Sequence, residues 1–120
     1  MDIETFRDYC LTLPGSHEKM PFEKFFRGRH AILAFYVGHR MFCFTDIDRF
    51  EACTVKCPPE QIAELEARYT AVGRPYNLNA RYWVNLGLGG DLPDDEVRRL
   101  VRQSYELVRD SLPRRERPAP

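Results

Sequence analysis

The sequence predicts an α+β fold in which an antiparallel β-sheet packs against an N-terminal, a middle and a C-terminal helix. Runs of branched and aromatic residues in the middle of the chain have the composition of β-strands. Segments with apolar residues at helical spacing precede, interrupt and follow these runs. Strands that follow one another in sequence and are flanked by helices indicate an antiparallel sheet covered on one face.

The first helix is predicted over residues 3–13, because its apolar residues recur on one face: Ile3, Phe6, Cys10 and Leu13. Asp2 is placed to accept an unpaired backbone N–H as the N-cap, and Pro14-Gly15 ends the helix. Residues 16–26 are expected to form a loop.

A β-hairpin is predicted next, with strands over residues 30–37 and 40–45 around Gly38-His39. Strict alternation along the second strand would put Met41, Cys43 and Thr45 on one face. A third strand should cover residues 50–56, where Pro58-Pro59 stops it.

The second helix should begin at Pro59, which fits the first helical turn. Residues 72–75 are expected to turn, 76–79 to form a short strand, and 82–88 to form the last strand. The last helix should start near Pro93 with an acidic first turn that suits the helix dipole. Its predicted core stripe is Val97, Leu100, Val101, Ser104, Leu107, Val108 and Leu112.

Length and composition indicate one domain over residues 1–112, followed by a flexible, proline-rich tail over residues 113–120. Positive and negative charges balance, so a nucleic-acid-binding surface would require an uneven distribution of charge. The basic residues are mostly Arg, which suits phosphate and carboxylate, although a GC-rich coding sequence gives the same bias. The sequence has no recognisable export signal or membrane span, so we expect a cytoplasmic protein with reduced cysteines.

Ordered motifs along the chain resemble the MmcQ/YjbR family. They begin with residues 9–16 (YCLTLPGS) and Pro21-Phe22, and continue through residues 45–48 (TDID) and 55–60 (VKCPPE). Pro75-Tyr76, Asn79 and Trp83 resemble the family's tyrosine–asparagine–tryptophan segment. The last matches are residues 92–94 (LPD) and 104–108 (SYELV).

The resemblance implies a CyaY-like fold that has been described as a double-wing DNA-binding motif, and it brings no catalytic residues. Many relatives have His, Lys and His where this chain has Asn77, Ala80 and Tyr82. Two imidazole rings that could bind a metal or take up protons are therefore absent here.

The predicted strands 76–79 and 82–88 would form a second hairpin around Asn79-Ala80, and the two hairpins could act as wings that bind DNA. The four basic residues near their tips are the candidates for DNA binding: Arg40, Lys56, Arg74 and Arg81. If the tips lie on one side, these residues would contact the phosphates of double-stranded DNA independently of base sequence. The alternative is a sheet whose turns are simply polar. The arginines of the tail are likewise either an electrostatic contact surface or a polar terminus.

A second hypothesis is a small-ligand or protein-interaction patch formed by Tyr76, Asn77, Asn79 and Trp83, since amides and rings can recognise planar groups. The alternative places Trp83 in the core and has Asn79 satisfy the turn backbone. The sequence does not identify a protein partner.

No metal, cofactor or catalytic site is predicted. Cys53 and Cys57 would lie ~13 Å apart along a strand, which is too far to share one ion. The sequence has no phosphate-binding glycine loop and no nucleophile elbow. We therefore expect a non-enzymatic binding protein; the alternative is an accessory protein with a catalytic pocket that the sequence motifs do not reveal.

Overall fold

The computed structural model describes residues 1–20, 31–75 and 78–119. The helices are α1 (Ile3–Thr12), α2 (Pro59–Arg68) and α3 (Asp94–Ser111), followed by a 3-10 turn, Arg114–Glu116. The strands are β1 (Ser16–Lys19), β2 (Ile32–Val37), β3 (Arg40–Asp46), β4 (Ala52–Lys56), β5 (Val72–Gly73) and β6 (Trp83–Gly87).

The strands form one six-stranded sheet with the order β1-β2-β3-β4-β6-β5, and every neighbouring pair is antiparallel. All three helices pack on the same face, with α3 across the central strands, α1 against β1 and α2 against β5. The predicted α+β class is therefore confirmed. None of the helices within the described ranges has the length and apolar character that crossing a membrane requires.

The helix termini follow local sequence chemistry. The carboxylate of Asp2 accepts the Thr5 backbone N–H at 2.7 Å, so the predicted N-cap of α1 is confirmed. Pro59 starts α2, as predicted. The buried stripe of α3 differs from the prediction at one place, because Tyr105 is buried and Leu107 is only half-buried. The Tyr105 ring meets Phe42 edge-on in the core at a centroid distance of 5.4 Å.

Both edge strands were missed by the sequence prediction. Residues 16–19, predicted as loop, form β1 because they pair with β2 from Ser16 opposite Val37 to Lys19 opposite Ala34. Residues 72–75, predicted as a turn, contain the two-residue strand β5, which pairs with β6. Leu78 and Asn79 are not in a strand, contrary to the prediction. The other half of that segment, Tyr76 and Asn77, lies outside the described residues.

A β-bulge interrupts the alternation predicted for β3. Phe35 pairs with Cys43, but the next residue, Tyr36, pairs with Met41, so Phe42 is the extra residue. Phe42 and Cys43 are both fully buried, whereas the predicted pattern put them on opposite faces.

The buried hydroxyl of Ser104 fills the gap that the bulge leaves between β3 and β4. The paired register of these strands stops at Cys43 opposite Val55. Beyond that point, Ser104 Oγ donates to the Phe42 carbonyl at 2.5 Å and accepts the Lys56 N–H at 2.8 Å. A side chain of α3 thus takes the place of a direct strand-to-strand hydrogen bond.

The hairpin tip requires a glycine at position 38. Val37 pairs with Arg40, so the turn has two residues, and Gly38 has φ +61°. A Cβ atom at this position would lie 2.8 Å from Leu112 Cδ1. We expect Gly38→Ala to lower the free energy of unfolding by about 2 kcal/mol, from backbone strain and crowding together. Urea unfolding measures this loss.

Two other glycines separate these causes. Gly89 has φ +81°, but no described atom lies within 4 Å of the position that a Cβ would take, so Gly89→Ala should lose about 1 kcal/mol from strain alone. Gly73 has neither feature, and Gly73→Ala should change stability by less than about 0.5 kcal/mol. Equal losses at positions 38 and 89 would contradict a role for the Leu112 contact.

Candidate nucleic-acid interface

The strand directions bring the four predicted DNA-binding residues to one end of the sheet. β3 begins at this end with Arg40, and β4 finishes there with Lys56. β5 ends and β6 begins at this end as well. Gly73, the last residue of β5, pairs with Asn85, and Trp83, the first residue of β6, pairs with Lys56. We call this group, Arg40, Lys56, Arg74 and Arg81, the basic end.

The basic end crosses four neighbouring strands in a row, with Lys56 on the sheet face opposite the helices and Arg40 turned toward Ser111 of α3. Lys56 is opposite Trp83, and the Cys57 N–H donates to the Tyr82 carbonyl at 2.8 Å, which fixes the start of β6 beside the end of β4. Neighbouring strands lie about 4.8 Å apart, so the row from β3 to β5 is about 14 Å wide. Glu60 in the first turn of α2 also lies at this end.

The four side chains differ in how they are held. One guanidinium nitrogen of Arg40 donates to Ser111 Oγ at 3.1 Å, which leaves most of its N–H groups available. The Arg81 guanidinium lies over the Tyr82 ring, 5.6 Å from its centroid. Within the described ranges, Lys56 and Arg74 form no ion pair. All four therefore retain donors for a bound anion.

Acidic residues gather at the opposite end of the sheet. The β3–β4 connection, the segment after β6 and the first turn of α3 meet there, since Leu88 N–H donates to the Glu51 carbonyl at 2.8 Å. The chain start is also there, with the Met1 amino group 3.4 Å from Asp94 Oδ2. Its described acidic residues include Asp2, Asp46, Asp48, Glu51, Asp91, Asp94 and Asp95, and Arg49 is a basic residue among them.

Part of this acidic end has a structural role. The Asp91 carboxylate accepts the N–H groups of Thr70 and Ala71 at 2.7 and 2.9 Å, where α2 leads into β5. These hydrogen bonds lower the pKa of Asp91 below its usual range. The charge of Asp91 thus stabilises the backbone that precedes β5.

Net neutrality therefore hides an uneven distribution of charge, although Arg98 pairs with Asp95 at the acidic end and Glu116 lies beside the hairpin tip at the basic end. α3 runs from the acidic end to the basic end over 18 residues, or about 27 Å. Physiological salt screens exposed charges over about 8 Å. The acidic end consequently does little to weaken the attraction of the basic end for a nearby anion.

The alternative ligand patch is only partly described. Trp83 is half-buried on the sheet face opposite the helices, in register with Lys56. Asn79 supports the turn, because its side-chain oxygen accepts the Arg81 N–H at 3.0 Å and its carbonyl accepts the Tyr82 N–H at 3.0 Å. Tyr76 and Asn77 lie outside the described residues, so the patch stays a prediction.

The cysteine thiols are buried in the core. Burial, reinforced by the neighbouring thiols of Cys10 and Cys53, raises the pKa of Cys43 well above its usual value. Burial likewise raises the pKa of Cys57 to about 11. Both thiols are protonated at neutral pH, so neither presents a ready thiolate nucleophile. No cluster of three or more potential metal ligands occurs in the part of the chain that the structure describes.

The structure places two further arginines, Arg114 and Arg115, beside the predicted hairpin tip. His39 occupies the hairpin tip beside Arg40, and its Nδ1 lies 3.3 Å from Glu116 Oε1. This contact brings Arg114 and Arg115 of the 3-10 turn next to the tip. Their basic charge was visible in the sequence, but no local pattern indicated that the tail returns to the hairpin.

A family model and two curated relatives relate this chain to the same family. The YjbR family model matches residues 11–107. The uncharacterised protein YjbR of Escherichia coli K12 is 25% identical over 118 residues, covering 98% of this chain and 95% of its own length. The YjbR protein of Escherichia coli O157:H7 matches to the same extent.

Solved structures share the fold. A crystal structure of the Deinococcus radiodurans protein DR2400, described as having a DUF419 domain, superposes with a TM-score of 0.84 at 31% identity. The match covers 97% of this chain and 85% of that one. A Pseudomonas syringae protein superposes with a TM-score of 0.70 at 20% identity, covering 90% of this chain and 99% of its own, which shows the fold alone.

Proposed function

The chain belongs to the YjbR family, and we propose that this member binds double-stranded DNA through phosphate contacts at its basic end. The observation that carries the proposal is the convergence of Arg40, Lys56, Arg74 and Arg81, which are far apart in sequence, on one end of the sheet. Two structural units would act as wings: the β2–β3 hairpin, and β5 with β6 and their connection.

Phosphate recognition suits these side chains. Arg presents a planar fork of donors that matches two phosphate oxygens, and Lys adds a compact positive charge. Such contacts supply affinity without reading the base sequence. The hydrogen bond to Ser111 already restricts the Arg40 side chain, so binding a phosphate costs less conformational entropy.

The width of the row is compatible with duplex DNA. Arg40 and Arg74 are separated by about 14 Å across the strands, close to the ≈ 12 Å width of the major groove of B-DNA. The outer residues would contact the two phosphate backbones that border the groove. Lys56 and Arg81 lie between them and would contact further phosphates of the same two backbones.

Salt-dependent binding tests this function. Fluorescence anisotropy of a labelled duplex, titrated with protein at several salt concentrations, should show affinity that falls steeply with salt. Four phosphate contacts predict a slope of log affinity against log salt of about −3.6. Duplexes of unrelated sequence should bind equally. A flat titration at low salt and high protein concentration would overturn the proposal.

A small-ligand site is the second candidate function. It is favoured by Trp83, whose ring is only half-buried on the face opposite the helices and lies in register with Lys56. The measurement that distinguishes this function from DNA binding is a titration with a small planar anion in the absence of DNA, which should change the fluorescence of Trp83. That result, together with a flat DNA titration, would replace the first proposal with this one.

A further inference from the structure

The segment after α3 folds back onto the basic end. Arg117 Nε donates to the Leu112 carbonyl at 3.0 Å, and Arg117 Nη2 donates to the Asp110 carbonyl at 2.9 Å. These carbonyls lie at the C-terminal end of α3, where no further helical N–H groups are available to donate to them. One guanidinium therefore caps the helix and fixes the direction of the chain that follows.

Two other contacts hold the same segment against the hairpin, and a third holds it against the turn between α1 and β1. Glu116 pairs with His39 at the hairpin tip. Leu112 packs against Gly38 so closely that a Cβ at Gly38 would overlap it. Pro118 packs against Gly15 in the same way, since a Cβ at Gly15 would lie 2.7 Å from Pro118 Cβ.

These contacts leave two neighbouring arginines exposed. Glu116 and Arg117 face partners within the protein, whereas Arg114 and Arg115 are exposed and form no ion pair or side-chain hydrogen bond within the described ranges. They lie on the 3-10 turn, between Leu112, which packs against Gly38, and Glu116, which pairs with His39. The row of positive charge is thereby extended beyond the four predicted residues.

We propose that the 3-10 turn is a further DNA-contacting element, in which Arg114 and Arg115 bind phosphates and Arg117 is a positioning residue. This inference rests on the proposed DNA binding and extends the same surface toward the next phosphates along the duplex. It departs from the expectation of a flexible tail, because the contacts of Glu116, Arg117 and Pro118 hold the segment in place.

The test compares the double variant R114Q/R115Q with a control, R49Q/R68Q, that removes equal charge near the acidic end. With phosphate contacts from Arg114 and Arg115 as well, the wild-type salt slope should be about −5.4, and R114Q/R115Q should return it to about −3.6 and lower the affinity for a labelled duplex about tenfold. The control should leave both unchanged. Urea unfolding of R114Q/R115Q should match the wild type, since neither side chain has a partner within the described ranges.

The positioning role of Arg117 has a separate readout. R117A keeps Arg114 and Arg115 but removes the helix cap, so its affinity should fall by a few-fold while R117K recovers only part of it. Affinity of R114Q/R115Q equal to that of the control, with R40Q/R81Q still weakened, would overturn this inference alone. A wild-type chain that fails to bind duplex DNA at low salt would overturn both proposals.

Discussion

Replacing Arg40 and Arg81 by Gln is expected to weaken duplex binding about a hundredfold at low salt. Each arginine would lose one charge-assisted contact to phosphate, and two such contacts account for roughly this factor. The slope of log affinity against log salt should fall by about 2, because each lost contact removes about one released counterion. Anisotropy titrations of both proteins at four salt concentrations measure the two quantities.

The matched control is R49Q/R68Q. Arg49 is an exposed residue near the acidic end. Arg68 lies over the Tyr69 ring at 5.3 Å, which reproduces the placement of Arg81 over Tyr82. The control thus removes the same net charge and the same kind of ring contact. If both double variants bound DNA equally weakly, overall charge and not the basic end would explain the attraction.

Ser104→Ala is expected to lower the free energy of unfolding by about 3 kcal/mol. Ser104 is fully buried, and its hydroxyl serves both the Phe42 carbonyl and the Lys56 N–H. Alanine would leave both backbone groups without a partner, at about 1–3 kcal/mol each, with partial relaxation reducing the sum. Urea unfolding measures the change.

Thr12→Ala is the comparison for this loss. Thr12 Oγ1 donates to the Tyr9 carbonyl at 2.6 Å, but the residue is exposed, so water replaces the lost group. Its removal should change stability by less than about 0.5 kcal/mol. A loss in Ser104→Ala no greater than that in Thr12→Ala would mean that the β3–β4 gap closes or admits water.

The elements that the sequence predicted correctly are those with strong local signals. The apolar spacing of α3, the Asp2 cap and the glycine turn at position 38 each depend on near neighbours in the chain. β1 was missed because Ser16 to Lys19 are polar and become a strand only by pairing with β2. The bulge at Phe42 was also not predictable, since it depends on Ser104 of a distant helix.

In the candidate site, too, local features were predictable and features that depend on distant contacts were not. That the hairpin tip and the 74–82 connection share one end follows from antiparallel pairing, but only once β5 and β6 are known to pair. The bond from Arg40 to Ser111 spans 71 positions, and the pair His39–Glu116 also joins distant segments. Long-range contacts of this kind leave no local pattern, so the sequence could place the tail arginines only by composition.

The opposed charges at the two ends of α3 have a kinetic consequence for a chain of zero net charge. A uniformly neutral molecule would meet a polyanion in random orientations, and most collisions would be unproductive. In DNA binding of the proposed kind, the field of the duplex would exert a torque that turns Arg40 and its neighbours forward and the Asp94 end away before contact. Orientation during approach would then raise the association rate of a chain whose net charge is zero.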